Sequence, residues 1–126
     1  ALKYAQERKQ FGRPLAKFQL VQAKLADMYT KLEASRGLAY RAVAAAEDIA
    51  RGGKGTDIHL LAAAALLFAA ETAEEIVNHA VQIHGGYGYM EEYEVCRLYR
   101  DVRLFTIGAG TSEIRRLVIA RELLGQ

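Results

Sequence analysis

Between Gln19 and about Arg51, the residues Val21, Leu25, Met28, Leu32, Ser35, Ala39, Ala42 and Ala46 fall on one stripe. That recurrence predicts an amphipathic helix several heptads long. Arg13-Pro14 breaks the chain ahead of it, because proline pushes its preceding residue out of the helical region. Arg51-Gly52-Gly53-Lys54-Gly55 stops the helix, and Thr56 and Asp57 are N-cap candidates for the next one. A second long helix carries Ile58, Leu61, Ala65, Phe68, Thr72, Ile76, His79 and Ile83 on one face and ends at Gly85-Gly86. Tyr87 to Glu91 predicts a turn, Glu92 to about Val102 a short helix, and Ile107 to Gly110 a loop. The last helix is expected from Thr111 to Leu124, capped by Gly125. Ala1 to Gln10 reads as the closing turns of a helix that begins upstream, so the chain is expected to be a fragment of a longer protein.

Each stripe needs an apolar partner, and long helices joined by short connections pack antiparallel. The expected fold is all-α, an up-and-down antiparallel four-helix bundle that takes residues 1–126 as one domain. Composition agrees: 52% of the 126 residues are apolar and only one is proline, which suits long helices.

Charge and cysteine use narrow the function. The 17 basic and 15 acidic side chains are mixed along the chain, with no basic stripe of the kind that tracks nucleic acid. The most apolar stretch, Leu60 to Ala70, is too short to span a bilayer. A single cysteine, Cys96, cannot form an intrachain disulfide and reads as a small hydrophobe in a reducing compartment. His59, His79 and His84 lack metal-ligand spacing, and no metal site is expected. Glu75 and His79 stand one residue too far apart for the Glu-x-x-His pair of a di-iron bundle. His79 reads as a core histidine, and Tyr87, Tyr89, Tyr93 and Tyr99 as packing and subunit contact.

Three segments break the helical pattern: Glu7 to Gly12, Gln82 to Gly88, and Gly108 to Glu113. In the last, Gly108 and Gly110 flank Ala109 and allow a close approach of backbone to a bound molecule. The helix opening at Thr111 or Ser112 offers amide donors to a phosphate or a polarised carbonyl. The plainer reading is a turn followed by an N-cap. Gly85-Gly86 is equally a helix C-cap or a point of ligand approach. Arg8 beside Phe11 is either a phosphate clamp or an exposed arginine at a helix end.

Together and in this order, these segments resemble the C-terminal domain of the acyl-CoA dehydrogenase family. The matching blocks are Tyr4 to Gly12, Phe18 to Gln22, Leu25 to Met28, Val81 to Tyr89, Tyr99 to Asp101 and Gly110 to Arg121. The resemblance implies an FAD enzyme that removes hydrogen from the α and β carbons of an acyl-CoA. A carboxylate takes the α-proton and the flavin accepts a hydride. It further implies that Arg8 and Phe11 contact the FAD diphosphate, and that Gln19 reaches the adenine side. Gln82, Gly85 and Gly86 would pass close to the FAD of a partner subunit, while Thr111 and Glu113 would contact FAD from the last helix. The domain would form the centre of a homotetramer, or dimer of dimers. An electron-transfer flavoprotein would be the acceptor, in the bacterial cytoplasm or the mitochondrial matrix.

One departure matters. Many relatives carry the catalytic glutamate where this chain has Ala109, and alanine takes no proton. The loop Ile107-Gly108-Ala109-Gly110-Thr111-Ser112-Glu113 instead matches the isovaleryl-CoA dehydrogenase pattern, in which the base sits on an earlier helix. No catalytic residue is then expected in this chain, which alone would be inactive. Gly108, Ala109 and Gly110 would be substrate-proximal, with room for a short branched acyl chain. A non-catalytic helical scaffold of the same fold, or a family member acting as an oxidase, stays open.

Overall fold

A computed structural model describes residues 1–53 and 57–125. Among these residues six α-helices dominate: α1 (Leu2–Glu7), α2 (Gln19–Ala50), α3 (Ile58–His84), α4 (Glu94–Val102), α5 (Leu104–Ile107) and α6 (Ser112–Leu124). The all-α bundle expected from the sequence is the observed architecture. Lys54, Gly55 and Thr56 lie outside the described residues. Asp57 holds the N-cap position of α3, but its side chain caps nothing.

Helix α3 is the hub, in contact with α1, α2, α4, α5 and α6. The α2–α3 pair is antiparallel. Lys31 bonds to Glu75 midway along it, and Val21 lines one cleft with Gln82 and Ile83 at the end remote from the connecting loop. Because α3 is covered on more than one side, its buried residues are Ala65, Thr72 and Ile83 from the predicted face together with Ala70 and Ala80. Phe68, expected inside, is 40% exposed. Many of the buried positions are alanine, which lets the backbones approach closely. Helix α2 buries no residue fully, although its seam residues Val21, Leu25, Met28, Ser35, Ala39 and Ala42 are half-buried. His79 is likewise only half-buried.

Ion pairs and one buried hydroxyl tie the C-terminal helices to α3. Arg116 pairs with Glu71 at 2.5 Å. Glu74 accepts from Arg103 and from the buried Thr106 hydroxyl, each at 2.8 Å. Most of these side chains are partly exposed, so the pairs fix register more than they add stability.

The N-terminal segment differs from expectation. Helix α1 ends at Glu7, and a two-residue antiparallel ladder, β1 (Lys9–Gln10) with β2 (Arg13–Pro14), follows. Phe11 and Gly12 both take positive φ, 52° and 76°, as a tight hairpin whose twist matches its strands requires. A 3-10 turn, Leu15–Lys17, then leads into α2.

The second 3-10 turn, Gly85–Tyr89, contains a glycine that the fold itself demands. A Cβ on Gly88 would sit 2.7 Å from the Val81 carbonyl oxygen and 3.1 Å from the Val81 Cα. Backbone cannot yield as a side chain can. Gly88→Ala is therefore expected to destabilise the chain by about 3 kcal/mol, the upper range for overpacking. A urea titration checks it, through a lowered midpoint at unchanged slope.

Candidate functional site

The structure gathers Arg8, Gln82, Gly85 and Gly86 on one cleft of about 670 Å³ at the end of the α2–α3 pair. Each arrives by a local device. Arg8 is the C-cap of α1, where the chain turns extended, and its guanidinium lies 4.9 Å from the centre of the Tyr87 ring. Gln82 is on the last turn of α3. Gly85 caps that helix with φ 60° and ψ −138°, a conformation essentially closed to residues bearing a Cβ.

Gly86 has a different logic. Its φ is not positive, and a Cβ there would meet nothing within 4 Å. Nothing in the chain itself demands glycine at this position, so the missing side chain leaves free space at the cleft wall. Lys24 from α2 also lines this cleft. It was not singled out from the sequence, although a lysine beside the apolar seam is a legible signal. Neither Arg8 nor Lys24 pairs with a carboxylate among the described residues. The cleft thus offers uncommitted positive charge and open backbone, a combination suited to an anionic ligand.

Tyr4, His84 and Tyr87 of the cleft wall form one aromatic cluster with Tyr93. Tyr4 stacks on His84 at 4.1 Å, Tyr93 meets both edge-on, and Tyr87 lies 5.3 Å from Tyr93. His84 Nδ1 is 2.7 Å from the Ala80 carbonyl. The Tyr4 hydroxyl donates to the His84 carbonyl at 3.3 Å, and burial raises its pKa above the ordinary tyrosine value. This packing fixes the base of the Gly85–Tyr89 turn. Packing was the role expected for Tyr87 and Tyr93, whereas Tyr89 is 87% exposed.

Of the expected residues, Phe11, Gln19, Thr111 and Glu113 lie outside that cleft. Phe11 is 90% exposed at the hairpin tip, with its ring edge-on to Phe18. Gln19 opens α2 and lines a smaller cleft of about 390 Å³ with Arg13, Lys17, Phe18 and Leu20. Arg13 covers the Phe18 ring at 4.2 Å. Leu20 lines both clefts, which makes them neighbours.

The Gly108–Glu113 segment lines neither cleft. Ala109 is held at φ 52° and Gly110 at φ 90°, and the left-handed value is costly for alanine. Thr111 is the N-cap of α6, and its hydroxyl accepts from the Ile114 amide at 3.3 Å. Glu113 is exposed. Its own backbone amide, and then the Thr111 hydroxyl, hold its carboxyl below the ordinary glutamate value. The amides of Ala109 and Gly110 find no acceptor among the described residues. Beneath the turn lies Arg115, only 5% exposed. It donates to the Phe105 carbonyl at 2.7 Å and the Gly108 carbonyl at 2.8 Å. Sequence reading missed it, since an arginine on a surface helix ordinarily marks the wet face.

Over residues 1–124 the chain matches the family described as acyl-CoA dehydrogenase, C-terminal domain. The chain belongs to that family. It is 52% identical over 124 residues to the 3-(aryl)acrylate reductase of Clostridium sporogenes, covering 98% of this chain and 31% of that one. To the mitochondrial isovaleryl-CoA dehydrogenase of Oryza sativa subsp. japonica it is 49% identical over 123 residues, covering 98% and 29%. Its fold superposes on the glutaryl-coenzyme A dehydrogenase glutaryl-CoA complex with a TM-score of 0.88 at 39% identity, over 98% of this chain and 30% of that one. The chain therefore spans about a third of the length of the relatives it matches.

Proposed function

We propose that residues 1–126 are the C-terminal bundle domain of a longer FAD-dependent acyl-CoA dehydrogenase, with short branched acyl-CoA as substrate. The observation that carries this reading is the cleft at the end of the α2–α3 pair. Arg8, Lys24, Gln82, Gly85 and Gly86 converge there with unpaired charge and no bulk, which fits the phosphates and polar chain of FAD. Arg8 and Lys24 would hold the diphosphate, and Gln82 would bond along it. Phe11 and Gln19 would reach neighbouring parts from the hairpin and from the start of α2. Bound there, FAD supplies the hydride acceptor for α,β-dehydrogenation of a thioester.

Thr111 and Glu113 would meet a flavin as well, but they line a different surface. That separation supports a chain touching two cofactors, its own through α6 and a partner subunit's through the Arg8–Gln82 cleft. The proposed assembly is a homotetramer, or dimer of dimers. Leu20, Tyr40, Leu104, Leu123 and Leu124 are each at least 65% exposed, apolar surface that the rest of the protein or a neighbouring subunit would cover. No helix among the described residues is long and apolar enough to cross a membrane. The proposed acceptor is an electron-transfer flavoprotein, in the bacterial cytoplasm or the mitochondrial matrix.

Gly108, Ala109 and Gly110 form the substrate-side wall. The unpaired amides of Ala109 and Gly110 can donate to a thioester oxygen, where enolate charge develops. Ala109 takes no proton, so the base belongs to a helix upstream of Ala1, and this chain alone is expected to be inactive. The relatives differ in the substrate their names give, so the acyl preference rests on the alanine at position 109. Steady-state turnover of the full-length protein tests that preference. Isovaleryl-CoA is expected to exceed butyryl-CoA in kcat/KM, and the reverse order would remove the branched-chain assignment. Rapid reoxidation of the reduced protein by oxygen would favour an oxidase, and absence of bound flavin a scaffold.

A further inference from the structure

We propose that Arg115 is a positioning residue, which holds the Gly108–Gly110 turn in shape so that its free amides face the reacting thioester. This inference rests on the acyl-CoA dehydrogenase reading of the same site. Three observations carry it. First, the Arg115 guanidinium is buried and spends two N–H groups on the carbonyls of Phe105 and Gly108, at 2.7 and 2.8 Å. A planar fork with fixed donors sets both the separation and the orientation of two carbonyls, which a lysine ammonium cannot do. Second, the residue that follows the clamped Gly108 is Ala109, at φ 52°. A non-glycine residue persists in that region only where its surroundings over-determine it. The turn is anchored on one side by the clamp and on the other by the Thr111 cap on Ile114.

Third, the clamp orders the polarity of the turn. With the Gly108 carbonyl drawn to Arg115 and the Gly108 amide bonded to the Leu104 carbonyl at 2.6 Å, the amides left without acceptors are those of Ala109 and Gly110. Arg115 Nε and Ser112 Oγ are also buried without a partner among the described residues, so the guanidinium is held chiefly by the turn it organises. Nothing in this arrangement asks Arg115 to touch substrate or flavin. Its effect passes through backbone.

The test uses the full-length flavoenzyme with Arg115→Lys, Arg115→Met and the double variant Arg115→Lys/Ala109→Gly. Wild-type turnover is measured first. A wild type whose flavin no acyl-CoA reduces overturns the functional reading itself, whereas failures confined to the variants bear on Arg115 alone. A displaced donor of about 1 Å costs on the order of a hundredfold in rate. Arg115→Lys is expected to lower kcat by roughly that factor, with KM for acyl-CoA and flavin content close to wild type. A second readout is independent of turnover: amide exchange over Leu104–Ser112 should quicken while that of α2 and α3 does not change. Ala109→Gly removes the strain the clamp opposes, so the double variant should recover part of the lost kcat. The proposal is overturned by flavin-loaded variants with wild-type kcat, by losses that Ala109→Gly leaves untouched, or by variants that lose flavin and thermal stability together.

Discussion

Gly86→Val in the full-length protein is expected to leave the fold intact and to strip the flavin from it. Both halves of that expectation come from the backbone geometry: a Cβ on Gly86 meets nothing within 4 Å, and its φ is ordinary. The chain itself leaves room at the Cβ, and the thermal midpoint should stay within about two degrees, as for a surface change with no named mechanism of destabilisation. A cofactor laid along the cleft cannot accommodate it. Overpacking costs about 1–3 kcal/mol, or roughly ten- to a hundredfold in affinity. The readout is FAD per chain after gel filtration. Full occupancy in a Gly86→Val protein would show that the cleft is not the cofactor's path. Gly88 supplies the internal contrast, because its Cβ would strike Val81 and its replacement should injure the fold itself.

The second large effect is expected from Ala109→Glu. The substitution adds a carboxylate where the chain has a methyl group, on a loop already committed to a left-handed residue. Under the present account the base lies elsewhere, so the new group brings bulk and charge and no needed chemistry. Isovaleryl-CoA turnover should fall about a hundredfold, comparable to the upper range for size discrimination in an apolar pocket, while butyryl-CoA should lose much less. A gain in isovaleryl-CoA turnover would mean that the loop lacks a base the enzyme needs.

Helix α2 was legible almost to the residue, because a long apolar stripe ends abruptly at glycines. The same holds for the end of α3, and for α6 with its Thr111 cap and left-handed Gly125. Short elements were not. Helix α5, Leu104–Ile107, is a single turn and too brief to show a period, and α4 begins at Glu94, two residues beyond its expected start. The β1–β2 hairpin turns on Phe11-Gly12, and a phenylalanine at a left-handed position is not the usual signal for such a turn. Burial of Ala70 and Ala80 was invisible because one helix's stripe cannot report that its opposite side is also covered.

The site divides in the same way. Order and identity of the blocks pointed to Arg8, Gln82, Gly85 and Gly86, and the fold brings these four together. Periodicity could not show that Gly108–Glu113 faces elsewhere, since that depends on how α6 crosses α3. Nor could it show the Arg115 clamp, which needs the loop carbonyls in place before the guanidinium has a reason to be buried. Lys24 was readable as a charge beside an apolar seam.

Anaerobic titration of the full-length, flavin-loaded protein with isovaleryl-CoA is the decisive experiment for flavin-dependent dehydrogenation. The oxidised flavin band is expected to bleach, completed with about one equivalent of thioester per flavin if reduction is tight, with release of the α,β-unsaturated acyl-CoA. A protein that binds no FAD, or whose flavin stays oxidised with isovaleryl-CoA and with every straight-chain acyl-CoA offered, would contradict it.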